Sequence, residues 1–512
     1  MFKYVLKRLL YFVPTFIVIS LITFMLGQMA PGDPVELKLK GGMGGSANGQ
    51  SSEKIAGEKA YMELSEKLGK NLPAFYFSIS SASYPDTLYK IPRQSERENL
   101  DRLIYNTGNW SNVSDYYKEA KNLEKTLYQI STNNLDATSY EKLKALRDNT
   151  SVLFINYDDV KIKQALDIIK NSVNYTANLK LDSINSKQVQ PFTSAMPAVN
   201  SLVASYEKMK AEPKVNNNYI PAFHWYGTSN QYHRWLFGDV PWFGKNNNPQ
   251  KVSKGFFRGD FGNSILDNRP VSSILKEAVK LTLIINFFEF LLIYLIAIPL
   301  GVSLAVKKGT SYDRIVTTVN FMLYSLPGFW IATMMIIFFT NDYYASWMNI
   351  FPTHGIGKTG PDYGAWERVV DRAYHLALPM FCMLLGAFAF ISRMMRGSML
   401  NVLRQDFIRT AFAKGLEPRK VFWKHAFRNS LIPIITMFAS FLPAMISGAV
   451  IIEYIFTIPA MGRVSYESVV SRNFPVLFTI LMFAAILTML GNLLADVLYG
   501  FVDPRISLTK KA

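Results

Sequence analysis

The chain has 512 residues, 49% of them hydrophobic and 14% aromatic against 18% charged, a balance that excludes an ordinary soluble domain and reads as a membrane protein carrying a soluble part. Its formal net charge of +17 invites a nucleic-acid reading, which stands or falls on where the excess lies. A lone cysteine, Cys382, and five scattered histidines (His224, His233, His354, His375, His425) exclude a disulfide framework and a cysteine-based zinc site within one chain.

Lys3, Lys7 and Arg8 precede an apolar run from Leu9 to Ala30, about 20 residues and long enough to cross a bilayer. Ala30 before Pro31 is a poor cleavage point, so residues 1–30 are expected to hold an uncleaved first span. PGDP, Pro31 to Pro34, is a turn signal. Residues 31–271 contain nothing that could span a membrane and are expected to form an external soluble region. Gly41 to Ser52 reads as a flexible linker. Beyond it Tyr116, Ala120, Leu123, Leu127 and Ile130 share one helix face behind a cap at Ser114. Ile162, Leu166, Ile169 and Val173 share another behind Asp158 or Asp159. Together they predict an antiparallel helical bundle or helical hairpins. The aromatic residues Phe223, Trp225, Tyr226, Tyr232, Trp235, Trp242 and Phe243 are expected near the membrane surface.

Five further apolar segments follow within a core over residues 272–506, with a short tail at 507–512. The second span, Leu281 to Val306, holds Glu289 well inside it; such a carboxylate is either functional or paired with a polar group on another span. The third, Ile315 to Thr340, is broken at Ser325, Leu326, Pro327 and Gly328, and an external loop from Asn341 to Tyr374 leads to the fourth, Leu376 to about Ile391. The fifth runs from Leu431 to Ile455 and the sixth from Phe474 to Gly500. The expected fold is all-α and polytopic, six transmembrane helices with a large, mainly helical external domain inserted between the first and second.

Between the fourth and fifth spans lies a basic, amphipathic loop over residues 397–430. Asn401 to Lys414 reads as a helix with Leu403, Phe407 and Ala411 on one face; Gly415 stops it in a left-handed turn and Pro418 starts a second helix. On charge alone it could lie on anionic lipid. A loop this structured also suits a docking partner, since a short polar linker would join two spans equally well. Basic residues concentrate on this side of the chain (Lys307, Lys308, Arg314, then nine from Arg393 to Arg428), which places the loop and both termini in the cytoplasm. Most of the +17 is thereby topological, and a nucleic-acid partner is excluded.

Several motifs here resemble the permease subunits of ABC importers, in the oligopeptide, dipeptide and nickel branch: PGDP, RGDFGNSI, RTAFAKGL with RNSLIP, SGAVIIEYIF and DVLYGFVDPR. The resemblance covers nearly all of the chain except about residues 74–219, which short members lack. It implies a subunit of the bacterial inner membrane, working with a second homologous permease, two ATPases and an external solute-binding protein. It also implies that the loop, with Arg409, Ala411, Gly415, Leu416, Pro418, His425, Asn429 and Pro433, couples to an ATPase. The chain carries no phosphate-binding loop of its own, consistent with ATP and magnesium belonging to separate subunits and with no catalytic role, cofactor or metal here. Polarity within the bilayer nominates Asn320, Tyr324, Ser325, Ser440, Ser447 and Glu453 for a translocation pathway, although such residues also serve as glue between helices. At three places the sequence departs from the family it resembles: Arg409, Thr410 and Ala411 stand for its Glu-Ala-Ala, Ile458 to Gly462 replaces its Trp-Pro-Gly-x-Gly, and Asn473 stands where an aspartate is usual. Peptides are the expected cargo, with nickel chelates or oligosaccharides as alternatives. A membrane enzyme would need clustered intramembrane acids and histidines, and a sensor a larger cytoplasmic output domain than the segment after Gly500.

Overall fold

A computed structural model describes residues 2–29, 32–42, 51–132, 135, 137–177, 192–239, 255–357, 362–431, 433–434, 437 and 448–502. The chain divides into two compact units, Met1–Pro31 with Phe261–Ala512, and Gly32–Asp260. The first unit begins with α1 (Phe2–Met29), apolar along most of its length.

In the second unit a short helix (Pro34–Gly42) precedes α2 (Ser51–Lys67), and a two-stranded stem follows. β1 (Phe77–Ser81) pairs antiparallel with β2 (Pro221–Trp225), Phe77 opposite Trp225 and Ser81 opposite Pro221. Between the strands run α3 (Gln94–Thr107), α4 (Trp110–Gln129), α5 (Ala137–Leu153), α6 (Asp159–Ala177) and α7 (Met196–Ala211). The two predicted helix faces are buried, Tyr116, Ala120, Leu123, Leu127 and Ile130 meeting Ile162, Leu166, Ile169 and Val173 in one core with Leu146 and Leu202. α4 starts earlier than the sequence suggested, at Trp110 behind Asn109, because Gly108 at φ +65° closes α3 immediately before it. Asp158 is the cap of α6, its carboxylate accepting from the Val160 amide at 2.9 Å. The neighbouring Asp159 accepts from the Tyr206 hydroxyl and from the Lys210 ammonium, tying α7 back to α6. The Tyr206 hydroxyl, aided by Lys210, holds the Asp159 carboxyl below the usual carboxylate range. Of the aromatic group, Tyr232 is buried, Phe223 and Trp225 are exposed on β2, and Trp242 and Phe243 fall outside the described residues.

The first unit resumes with α8 (Val271–Val306) and the pair α9 (Ser311–Ser325) and α10 (Gly328–Phe339). α11 (Ala365–Leu403), α12 (Asp406–Ala413), α13 (Val450–Ile455), α14 (Met461–Val470) and α15 (Phe474–Val502) complete it. Among the described residues α1, α8, α11 and α15 are long and apolar enough to cross a membrane, and α9 with α10 forms a pair bent by 94°. The bend falls at the predicted break: Leu326 and Pro327 are extended, Pro327 has no N–H to continue the ladder, and its carbonyl accepts from the Trp330 and Ile331 amides at 3.0 and 3.1 Å to start α10. Most of the expected fifth span lies outside the described residues.

One expectation needs correction. The loop placed over Asn341 to Tyr374 is helical from Ala365, since AWERVVDRAY continues the helix although its polarity hides it from a hydropathy reading. Glu289, half-buried on the stripe of α8 that includes Ile285 and Ile293, makes no hydrogen bond or ion pair among the described residues, so the polar partner expected on another span is not present there. α8 packs on α11 so tightly that a Cβ at Gly301 would lie 2.6 Å from the Met395 Cβ and the Ser392 carbonyl. α1 packs on α15, with Gly27 beneath the Phe478 ring and Arg8 bonded to Asp496 at 2.7 Å.

Candidate functional site

The loop between α11 and the fifth span is held open at its tip and cemented at its base. α11 ends at Leu403, Gln405 turns extended, and α12 starts afresh at Asp406. This break resets the helical phase. Ile408 and Ala411 are therefore the buried positions, 1% and 7% exposed, and Phe407, expected on the inner face, is 41% exposed. At the end of α12 the Leu416 amide donates to the Ala411 carbonyl (3.3 Å) and the Gly415 amide to the Phe412 carbonyl (2.9 Å), a Schellman turn. Gly415 takes φ +77°, the left-handed conformation that turn demands.

The second loop helix begins at Pro418, where a missing N–H does no harm. It widens into a π-turn over Val421–Ala426 before Phe427–Ser430 resumes α geometry. π-turns are rare and recur at functional places. The base is apolar: Ile408, Ala411, Val421 and Ala426 pack with Met395 and Met399 of α11 and Val302 and Ala305 of α8. By contrast every residue from Phe412 to Lys420 is exposed, as is Trp423, so the tip presents Phe412, Leu416 and Trp423 among Lys414, Arg419 and Lys420. Arg409 is solvent-exposed and 3.6 Å from Asp406, a pair of little energetic weight. Asn429 donates back to the His425 carbonyl at 3.1 Å, and Pro433 is half-buried.

Of the described pathway candidates, Asn320, Tyr324 and Ser325 lie on α9 and Glu453 on α13. Asn320, 2% exposed, donates to the Ser392 hydroxyl at 3.1 Å and so glues α9 to α11. Tyr324 is exposed with the Arg393 guanidinium 5.5 Å from its ring, and Ser325 donates back to the Phe321 carbonyl. Ser440 and Ser447 lie outside the described residues. Glu453, 2% exposed, is a staple: its two oxygens accept from the Ala449 and Arg463 amides at 2.8 and 2.9 Å. A Cβ at Gly448 or Gly462 would come within 2.3 or 2.8 Å of that carboxylate, so both glycines make room for it. Replacing Glu453 by alanine strands two buried amides and is expected to destabilise the first unit by about 2–4 kcal/mol. A thermal midpoint unchanged in the Glu453→Ala chain would show the staple to be dispensable.

Two polar contacts escaped the sequence reading. Arg396 on α11 grips Asp313 on α9 in a bidentate pair (2.9 and 2.8 Å), and the carboxylate also accepts from the Gly309 amide and the Thr317 hydroxyl. The sequence hint was Thr310 followed by Asp313, a helix-start pattern in which Thr310 accepts from the Asp313 amide at 3.3 Å. Asn473, where the family usually has aspartate, is buried: its oxygen accepts from the Ile265 amide and its nitrogen donates to the Ser264 hydroxyl. A carboxylate could only accept there, so the asparagine suits this chain's own packing.

Long apolar helices joined by a structured, basic loop define a multi-pass membrane protein. Residues 297–508 match the family described as binding-protein-dependent transport system inner membrane component. The chain is 36% identical over 266 residues to the oligopeptide transport system permease protein AppB of Bacillus subtilis (strain 168), an alignment covering 51% of this chain and 81% of AppB. It is 32% identical over 258 residues to the inner membrane ABC transporter permease protein YejB of Escherichia coli O157:H7, covering 50% and 70%. To the oligopeptide transport system permease protein OppB of Mycobacterium bovis (strain ATCC BAA-935 / AF2122/97) it is 33% identical over 252 residues, covering 49% and 77%. The chain belongs to the binding-protein-dependent transport system inner membrane component family, and is an ABC-transporter permease.

Proposed function

We propose that this permease moves oligopeptides or dipeptides inward, delivered by an external solute-binding protein and driven by ATP hydrolysis on separate subunits. The observation that carries the reading is the loop, whose base is locked to α8 and α11 while its tip exposes Phe412, Leu416 and Trp423 around Gly415. Oligopeptide permeases among the relatives favour peptides as cargo. In this reading six helices cross the inner membrane, both termini and the loop are cytoplasmic, and the second unit is external. A second homologous permease completes the path. Two ATPases bind ATP and magnesium, and each grips one loop of the permease pair.

Closure of the ATPases would then push a rigid helix pair, and the push reaches α11 through Ala411, Val421 and Met399. From α11 it passes to the bent pair α9–α10 through the Asn320–Ser392 and Asp313–Arg396 contacts. Proteoliposomes holding the chain with its co-purifying partners are expected to accumulate labelled peptides of mixed length only when ATP is supplied. Accumulation of nickel chelates or oligosaccharides in their place would overturn the peptide assignment.

A further inference from the structure

We infer that the β1–β2 stem of the second unit is a membrane-surface anchor, its aromatic face seated in the headgroup layer of the external leaflet. The inference rests on the reading above that this unit is external. The stem carries its side chains the wrong way round for a ribbon in water. An antiparallel pair in a soluble domain buries its apolar side and wets its polar one. Here the register sets Phe77 opposite Trp225 and Ile79 opposite Phe223, so these side chains share one face with Pro221. All of them are exposed, Ile79 by 74% and Trp225 by 67%. Ser78, Ser80, Ala222 and His224 point the other way and are half-buried, and the Ser78 hydroxyl bonds to the Tyr226 hydroxyl at 2.9 Å. Neither strand holds an Asp, Glu, Lys or Arg.

An exposed apolar face of this kind marks contact with a protein or a membrane, and two observations select the membrane. The first is covalent. In sequence the unit is joined at both ends to the part of the chain that holds α1 and α8, helices long and apolar enough to cross a bilayer. Rings in contact carry the apolar surface from the stem toward one of those joins. Phe77 stacks on Phe223 and meets Phe75, with centroids 5.6 and 5.4 Å apart. Tyr76 bridges Phe75 and His233 at 5.0 and 5.8 Å, and Phe237 continues from His233 to Phe257 at 5.0 and 5.4 Å. Phe257, 48% exposed, lies shortly before Asp260, where the unit ends. A surface tethered in this way meets lipid at a high effective concentration, so modest apolar contact is enough to hold it. The second observation is chemical. A protein interface carries about one hydrogen bond per 100–200 Å². This face offers only the Trp225 indole and the Ser81 hydroxyl, and the latter is already bonded to Ser83. Tryptophan and its aromatic neighbours suit the layer between headgroups and acyl chains, where such rings concentrate.

The test uses the full chain with its co-purifying partners in nanodiscs of phosphatidylcholine and phosphatidylglycerol, without the external binding protein. Cys382 is buried, and Cys382→Ala removes it as a labelling site. A nitroxide is then attached at Ile79→Cys on the face or, as a control, at Tyr140→Cys on α5, 49% exposed. Both positions are open, so the label displaces no core. Collisions with oxygen, which enters lipid, are measured against collisions with a water-soluble nickel chelate. Their ratio is expected to be about fivefold higher or more at Ile79→Cys than at Tyr140→Cys, since an interfacial apolar face sits roughly 5–10 Å into the headgroup boundary. Equal ratios overturn the anchor. So does a label at Ile79→Cys shielded from both colliders, because a protein then covers the face. The external placement is checked separately: Tyr140→Cys in intact cells is expected to react with a membrane-impermeant maleimide. Reaction only after lysis overturns that placement and the anchor together. ATP-driven peptide uptake by a chain with equal collision ratios leaves the importer reading standing without the anchor.

Discussion

A Gly415→Trp chain is expected to lose ATP-driven uptake almost completely while remaining folded and in the membrane. Two features separate those outcomes. A Cβ at Gly415 meets nothing within 4 Å, so an indole there collides with no part of this chain. The cost inside the chain is conformational: φ +77° is a left-handed value that a non-glycine residue adopts at about 1–2 kcal/mol. In the proposed assembly the ATPase would meet this position at the centre of the exposed tip, between Phe412 and Leu416. A bulky ring at the centre of a docking contact removes about 2 kcal/mol or more of affinity, roughly thirtyfold in the dissociation constant. Gly415→Asn is the informative control, because asparagine tolerates the left-handed region and is small. It should retain most uptake. Uptake and ATPase rates would be compared at matched amounts of protein. A Gly415→Trp transporter with normal uptake would remove the loop from the mechanism and return it to its alternative, an amphipathic segment on lipid.

What could be read from sequence was whatever one short segment decides alone. Gly415 and Pro418 announced the turn and the restart because left-handed φ and a missing N–H are local properties. Ser325 to Gly328 announced the bend between α9 and α10 for the same reason. The break at Gln405 carries no such residue, so Phe407 was assigned the inner face that Ile408 holds. β1 and β2 are brief, and a whole helical bundle separates them, which leaves no local mark of their pairing. Polarity correctly said that Asn320 and Glu453 must be satisfied, but not by what: each proved to have its partners within the protein, on Ser392 and on two backbone amides. The two glycines beside Glu453 were the available clue, since 448 and 462 read as flexibility until the carboxylate is seen between them.

The buried pair between Asp313 and Arg396 yields the other large expected effect, and an asymmetric one. Removing Arg396 leaves a carboxylate whose side chain is only 7% exposed, held by the Gly309 amide and the Thr317 hydroxyl but with no countercharge. Breaking a buried ion pair in this way costs about 3–5 kcal/mol. Removing Asp313 instead leaves a guanidinium that is 25% exposed on a long side chain, able to reach water by bending outward. Arg396→Ala is therefore expected to lower the thermal midpoint more than Asp313→Ala, by a margin visible in detergent at constant lipid. Replacing both partners by apolar residues of similar volume, Asp313→Leu with Arg396→Met, removes the stranded charge and should recover at least half of the loss. Uptake should not recover with it, because an apolar contact can slide where a bidentate pair fixes the start of α9 against α11, three residues before Met399 joins the base of the loop. Equal midpoints for the two single variants would argue that the pair lies in water, and full uptake by the stabilised double variant would show that α11 moves the bent helices without it.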